Sequence, residues 1–473
     1  MKRVFVFCIG GTGLRVMKSI TMLLAAGMDA RGYTVVPVFI DPHIDLEEKR
    51  NLQNLIQDYE NIYEAITVSD RKHLNPIHGF FGTEIANLAK INGQQNDISE
   101  PIVEKRSFGQ YLNVGNLNSE DVNNYLVQTM FSQGNLDNNL SVGFKGSPNV
   151  GTVVLGEMIK GADWFQAFCN ACQKEDRIFI ISSIFGGTGA SGYPLLEKRI
   201  RQSSAYPNVK DAMMGAVSVL PYFSLEDPSI TNSDIDYTTF FTKTKSALAY
   251  YENSVLSDYL YYVGEQKIRT TYANDEKKQD DKAHFIELVA ATALFDFLSK
   301  IDKPDKPQAL SRAIKEDVSS LSASSLGDAY NDIIKVVADM MLLHRLVICL
   351  PYERQFPLSK NRGFDSAFYE SKAYGSLRNF LSRFDGWYQE LANNKRSFAP
   401  LTIADPQKRN APLTNWIQDF ALDAQDESYY LLEMIRASNQ DKDNTHTLKF
   451  RRFIDYASKA IDKYTSKIMK NHE

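Results

Sequence analysis

No apolar run in this chain approaches the ~18 residues that a membrane-crossing helix needs, and the opening MKRVFVFCIGG is too short in its apolar part for a signal peptide. Both absences lead to the expectation of a cytoplasmic protein with no transmembrane segment. A dominant charge is lacking too: 53 Lys and Arg face 58 Asp and Glu, a formal net charge of −5. No global field therefore draws the chain to nucleic acid or an anionic membrane, and any anionic ligand has to be held by local geometry. Cysteine is scarce, four in 473 residues, and Cys8, Cys169, Cys172 and Cys349 have no framework spacing, which fits a reducing compartment. Cys169 and Cys172 make a lone CxxC without a second ligand pair, so two ordinary helix residues are expected instead of zinc. Internal repeats and low-complexity tracts are also missing.

What is present is an alternation of buried-strand and helix patterns. The run at 4–9 is continuously apolar, GGTG follows at 10–13, and 14–26 carries apolar residues at helical spacing before the second strand pattern, YTVVPVFID. Residues 42–140 are polar and mostly helical in texture, an elaboration on the sheet. Strand patterns return at 177–183, in AMMGAVSVLPYF and in SDYLYYVGEQ, with helices expected to about 201, at 237–252 and at 283–299. Strands alternating with helices predict an α/β fold with a doubly wound parallel sheet and ligands at the carboxyl ends of its strands. KPDKPQ at 303–308 breaks the pattern. The expected division is 1–300 as an α/β domain, which carries the elaboration at about 42–140 and the helix at 283–299, and 301–473 as a second, mostly helical domain. The latter is expected to hold a strand at about 345–352 and helices at 371–394, 414–438 and 448–470.

The chemistry lies in the glycine loops. A glycine-rich turn between a buried strand and a helix brings bare N–H groups and a helix dipole to one point, where an anion can sit. In FGGTGASG the candidates are Gly186, Gly187, Thr188, Gly189 and Ser191; at the N-terminus they are Gly10, Gly11, Thr12 and Gly13. GFKGSPNVG at 143–151 offers Gly146 and Asn149 as a third wall. Neither GGTG loop has the lysine of GxxxxGK[ST], which argues against a P-loop nucleotidase. A Rossmann dinucleotide site, with Asp41 on the ribose, would leave the second loop unexplained.

FGGTGASG resembles the GGGTG[ST]G signature of the tubulin and FtsZ superfamily, with Phe185 in place of the first glycine and Ala190 intervening before Ser191. GGTG at 10–13 is similar to that family's first phosphate loop. The resemblance covers roughly 1–40 and 140–351. It implies a GTP or GDP site with Mg²⁺, Asp41 near the metal and phosphates, a long central helix, and longitudinal self-assembly into filaments. NDIIKVVADMMLLHRLVICLP resembles the segment that carries the family's NxDxxE catalytic loop into a helix and then a strand. On that match Asp332 takes the aspartate position, Tyr330 replaces the asparagine, and Lys335 stands where the family's catalytic acid acts on the neighbouring subunit's nucleotide. A lysine cannot serve as that base, so hydrolysis is expected to be slow or partner-dependent. The alternative leaves Lys335 as a solvated helix residue, with Asp328 or Asp332 supplying the acid after a shift of register. The helix at 283–299 looks like the family's central helix. Glu287 could accept from both donors on one edge of guanine while His284 packs on the ring, or both could simply face solvent; Gln266 is another candidate for the base.

Two further readings stand beside the GTP-binding filament protein: a nucleotide-sensing, non-polymerising module of a multi-protein bacterial system, and a Rossmann-type enzyme. The basic C-terminal helix, with Phe450, Ile454, Ala457 and Ile461 on one face, is expected to cover its own domain or to dock a partner.

Overall fold

The computed structural model describes residues 2–42, 47–67, 79–88, 106–118, 120–144, 146–160, 162–225, 238–254, 256–268, 270–272, 274–275, 278–279, 282–314, 330–349, 364–404, 412–415, 428–440 and 449–469. Six strands build the main sheet: β1 (Lys2–Ile9), β2 (Tyr33–Ile40), β3 (Arg177–Ser183), β4 (Met213–Val219), β5 (Tyr259–Glu265) and β6 (Gln308–Ile314). All are parallel, in the order β6, β5, β4, β3, β1, β2. A parallel sheet needs helices on both faces, and this is why its inner strands read as unbroken apolar runs. Alternate residues of β1 serve opposite cores: Val4, Val6 and Cys8 join one cluster, Phe5, Phe7 and Ile9 the other.

The second cluster is closed by α3 (Pro148–Lys160), α4 (Asp163–Ala171), α5 (Gly187–Arg201) and α6 (Thr238–Ser254). Cys169 and Cys172 are buried there as free thiols, and burial pushes them up to about 11 and about 12, so both stay protonated and inert. Pro194 lies inside α5 and removes one helical donor. The Ala190 carbonyl four residues earlier instead accepts from the Tyr251 hydroxyl of α6 at 3.4 Å.

The first cluster gathers α1 (Gly10–Ala25), α2 (Glu47–Thr67), the central helix α7 (Phe285–Ser299), α8 (Tyr330–Cys349), α9 (Lys372–Asn393) and α11 (Lys449–Ile468), with α10 (Ser428–Gln440) against α11. The helix-rich C-terminal region therefore shares its core with the sheet. Phe450, Ile454, Ala457 and Ile461 of α11 are all buried against this chain, so that apolar face is used internally.

Three expectations are corrected. The sheet extends past residue 300, because β6 pairs with β5 from Gln308↔Tyr259 to Ile314↔Glu265. As an outermost strand with mostly exposed residues, β6 has none of the apolar continuity of the inner strands. The segment 345–349 is helix, not strand: the buried stripe Ile334, Ala338, Leu342 and Leu346 keeps helical spacing, and packing overrides the β-branched texture of Val347 and Ile348. Residues 350–352 of that expected strand lie outside the described residues. Leu413–Asn415 is a short strand paired with Leu401–Ile403, where a helix was expected from 414. Among the described residues no helix is long and apolar enough to cross a membrane.

Candidate anion site at the switch point of the sheet

β1 and β3 are neighbours, yet the chain leaves β1 toward β2 on one side and β3 toward β4 on the other. Such a switch point opens a crevice at the carboxyl ends of the strands. Both GGTG segments lie there, and both are first turns of helices: α1 starts at Gly10 directly after Ile9, and α5 at Gly187. Gly10 has φ +72°, a left-handed conformation that favours glycine. A β-carbon on Gly10 would stand 3.4 Å from Thr188 Cβ and 3.6 Å from the Gly189 nitrogen, so the two glycine turns touch. A β-carbon on Gly187 would lie 2.8 Å from Phe144 Cβ, 3.1 Å from the Ser147 nitrogen and 3.3 Å from the Gly146 nitrogen, which places the third loop on the second.

Three helix N-termini thus converge. Neither Ile9 nor Gly186 caps its helix with a side chain, and the first turns of α1, α3 and α5 carry no acid. Each such terminus concentrates roughly half a positive charge and several N–H groups without intrahelical partners. Lys243 of α6 adds a whole charge, donating from Nζ to the Gly146 carbonyl at 2.5 Å. Asn135 ties the third loop down, giving one hydrogen bond to Ser147 Oγ at 3.1 Å and accepting another from Asn149 Nδ2 at 3.0 Å.

Not every expected residue points at this crevice. A β-carbon on Gly13 would come within 2.8 Å of the Cys8 carbonyl carbon, and one on Gly189 within 2.5 Å of the Ser183 oxygen, so both let a helix start tightly over its strand. The Ser191 hydroxyl is buried and donates back to the Gly187 carbonyl at 2.6 Å, not outward. Thr12 is buried and accepts from Arg15 at 3.4 Å. Asp41 is buried one residue beyond the Ile9↔Ile40 pair, beside the first glycine turn, and Gln266 is exposed just past the end of β5.

His284 and Glu287 belong to the interior. They form the capping box of α7: His284 Nδ1 accepts from the Ile286 N–H at 3.1 Å, and Glu287 Oε2 accepts from the His284 N–H at 3.1 Å. Glu287 Oε1 holds Arg15 Nε at 2.7 Å and the Tyr222 hydroxyl at 2.6 Å. The two residues are 0% and 1% exposed, which leaves neither the open carboxylate edge nor the stacking ring that the sequence suggested, nor a solvent-facing pair. Since Nδ1 accepts, the ring proton sits on Nε2 and reaches Thr270 Oγ1 at 3.1 Å, which donates on to Asn394 at 2.7 Å. Burial first, then Arg396 and Arg15, lower His284 to about 3, so it stays neutral.

Asp332 lies far from the glycine turns. It lines a cavity with Met28 and Asp29, which follow the far end of α1, a helix of 16 residues that rises about 24 Å. Asp332 is exposed, and Lys335 is partly exposed while bonding Asp339 at 2.7 Å and Asp462 at 2.9 Å. Asp328 lies outside the described residues.

Sequence reasoning missed Lys243 and Arg15. Lys243 has no local signal, because its helix reaches the loop only through the sheet's topology. Arg15 had one: a charge two residues past a glycine turn, flanked by Leu14, Val16 and Met17 in a helix expected to be buried, needs a buried partner. Neither a scan against protein-family models nor a search of curated proteins returns a match for this chain.

Proposed function

We propose that the protein binds a nucleoside triphosphate across the three glycine turns, as a tubulin-like GTP-binding protein whose subunits associate lengthwise. The observation that carries this reading is the convergence of three helix N-termini, two of them without a side-chain cap, with Lys243 at the switch point. Backbone N–H groups of the turns at Gly10, Gly146 and Gly187 would hold the phosphates, with Thr188 beside them and Lys243 balancing their charge. Mg²⁺ needs few protein ligands when phosphates supply the rest, and Asp41 would be the carboxylate that orients its waters. The metal would neutralise charge on the bound phosphates. Guanine is chosen over adenine by the family resemblance alone, with Gln266 left as the candidate contact.

Lengthwise association draws support from Asp332, which stands about one helix length of α1 from the glycine turns, as a residue acting on a neighbour's nucleotide would. Lys335 occupies the position of the family's acid and is held by two aspartates, which favours nucleotide binding with slow or partner-dependent hydrolysis. The same observation favours the second reading, a nucleotide sensor that does not polymerise. Mass spectrometry of nucleotide copurifying with wild type and with Gly187→Asp tests the site. Light scattering with and without GTP separates filament from sensor.

A further inference from the structure

One helix has its amphipathic pattern inside out. In the helix Val122–Met130, the residues Val122, Tyr125, Leu126, Thr129 and Met130 keep the three-and-four spacing of the stripe that a helix normally turns to its core. Here the stripe faces outward: Val122 is 79% exposed, Tyr125 61%, Leu126 54% and Met130 56%, and no residue of the helix is buried. The side turned to the chain carries Asn124, whose Nδ2 donates to the Asn118 carbonyl at 3.1 Å, and Val127, which packs on the second core cluster.

The helix is anchored, so the stripe is presented in a fixed orientation. Asp121 caps it, accepting from the Asn123 N–H at 2.8 Å. Phe131, the next residue after the helix, is buried against Phe108 with ring centroids 4.9 Å apart, and Asn149 Nδ2 donates to the Met130 carbonyl at 3.4 Å.

Charge and area narrow what covers it. The helix, VNNYLVQTM, contains no Asp, Glu, Lys or Arg. A helix that lies on a lipid surface draws on Lys and Arg along its polar face, and these are missing. A charged protein partner is selected by a complementary potential, which an uncharged stripe does not supply. A second copy of the same stripe meets no repulsion and leaves no charge unpaired. The nearest acids, Glu120 and Asp121, precede the helix, so antiparallel packing about a two-fold axis puts those of the two copies at opposite ends of the contact. In that arrangement Tyr125 and Leu126, midway along the helix, meet their own counterparts at the axis, and Val122 of each copy meets Met130 of the other, a short side chain against a long one. The four apolar side chains expose roughly 450 Å² per copy, or about 900 Å² for two, and the exposed Asn123, Gln128 and Thr129 beside them bring the contact to the ~1,000 Å² that a specific interface needs.

We propose that the chain forms a closed two-fold dimer through this helix, stripe on stripe and antiparallel. The contact is isologous and stops at two copies, so it is separate from lengthwise association and does not rest on the nucleotide reading.

Sedimentation velocity of the full chain without added nucleotide, from about 1 to about 100 μM, tests it. Wild type is expected to pass from monomer to dimer over this range and to go no further. Leu126→Glu, at an exposed position where folding is not at stake, sets two like charges at the axis and weakens the dimer at least about tenfold with the melting temperature of the monomer unchanged. Leu126→Lys does the same alone, and an equimolar mixture of the two variants restores the dimer, as a face that meets itself requires. The proposal is overturned if wild type stays monomeric throughout, whether or not it partitions onto phosphatidylcholine vesicles. It is equally overturned if Leu126→Glu dimerises like wild type, or if the mixture of the two variants stays monomeric.

Discussion

Lys243 and His284 show how differently two polar side chains near one sheet edge can be employed. Lys243 bonds a loop carbonyl at the candidate anion site, and on the proposed reading its alanine variant should fold normally while binding a nucleoside triphosphate about tenfold more weakly or worse, with a shallower dependence of affinity on salt. A titration of a fluorescent nucleotide at several salt concentrations checks both. His284 is instead part of the scaffold. Its value of about 3 in the fold, against 6.5 for the free side chain, sets the sign of its effect on stability. Above pH 6.5 neither folded nor unfolded chain carries the proton; as pH falls toward 3, only the unfolded chain takes it up, and stability is lost. By pH 5 the loss from this residue is about 2 kcal/mol. His284→Asn keeps an acceptor at the cap and should flatten the fall in melting temperature between pH 6.5 and 5, though the variant melts lower throughout. An unchanged pH slope would remove His284 from that account. The sequence showed a His and a Glu three apart at a helix start but not that Arg15, 272 residues away from Glu287, would claim the carboxylate.

At the scale of elements, the inner strands were legible because burial on both faces writes an unbroken apolar run, as in Val4, Phe5, Val6 and Phe7. β6 was not, since an outer strand keeps no such run, and the helix α8 was cut short because Val347 and Ile348 carry strand texture inside a helical stripe. The glycine turns were legible as loops, but they are helix beginnings, which strengthens their dipole argument. For the C-terminal helices the burial pattern makes a quantitative claim. Phe453 of α11 is fully buried against Phe364, Phe368 and Tyr374. Phe453→Ala should therefore destabilise the whole chain by about 3 to 5 kcal/mol in denaturant unfolding. It should do so in a single transition that includes the sheet, because α11 and the sheet share one core. Selective loss of the C-terminal helices with the sheet intact would show that the shared core does not couple them.

At the scale of the molecule, the glycine turns and the Asp332 cavity stand at opposite ends of α1, the separation that the proposed lengthwise association would require. On this account GTP with Mg²⁺ raises light scattering, and Gly187→Asp abolishes the rise; nucleotide binding without any scattering would leave the sensor reading in place. Both outcomes presuppose an occupied anion site. The direct measurement is mass spectrometry of the small molecules released from purified wild type and from folded Gly187→Asp. A guanine nucleotide near one equivalent in wild type and absent from the variant is the predicted result. No nucleotide in wild type, even after incubation with GTP and Mg²⁺, or equal amounts in both proteins, would contradict it.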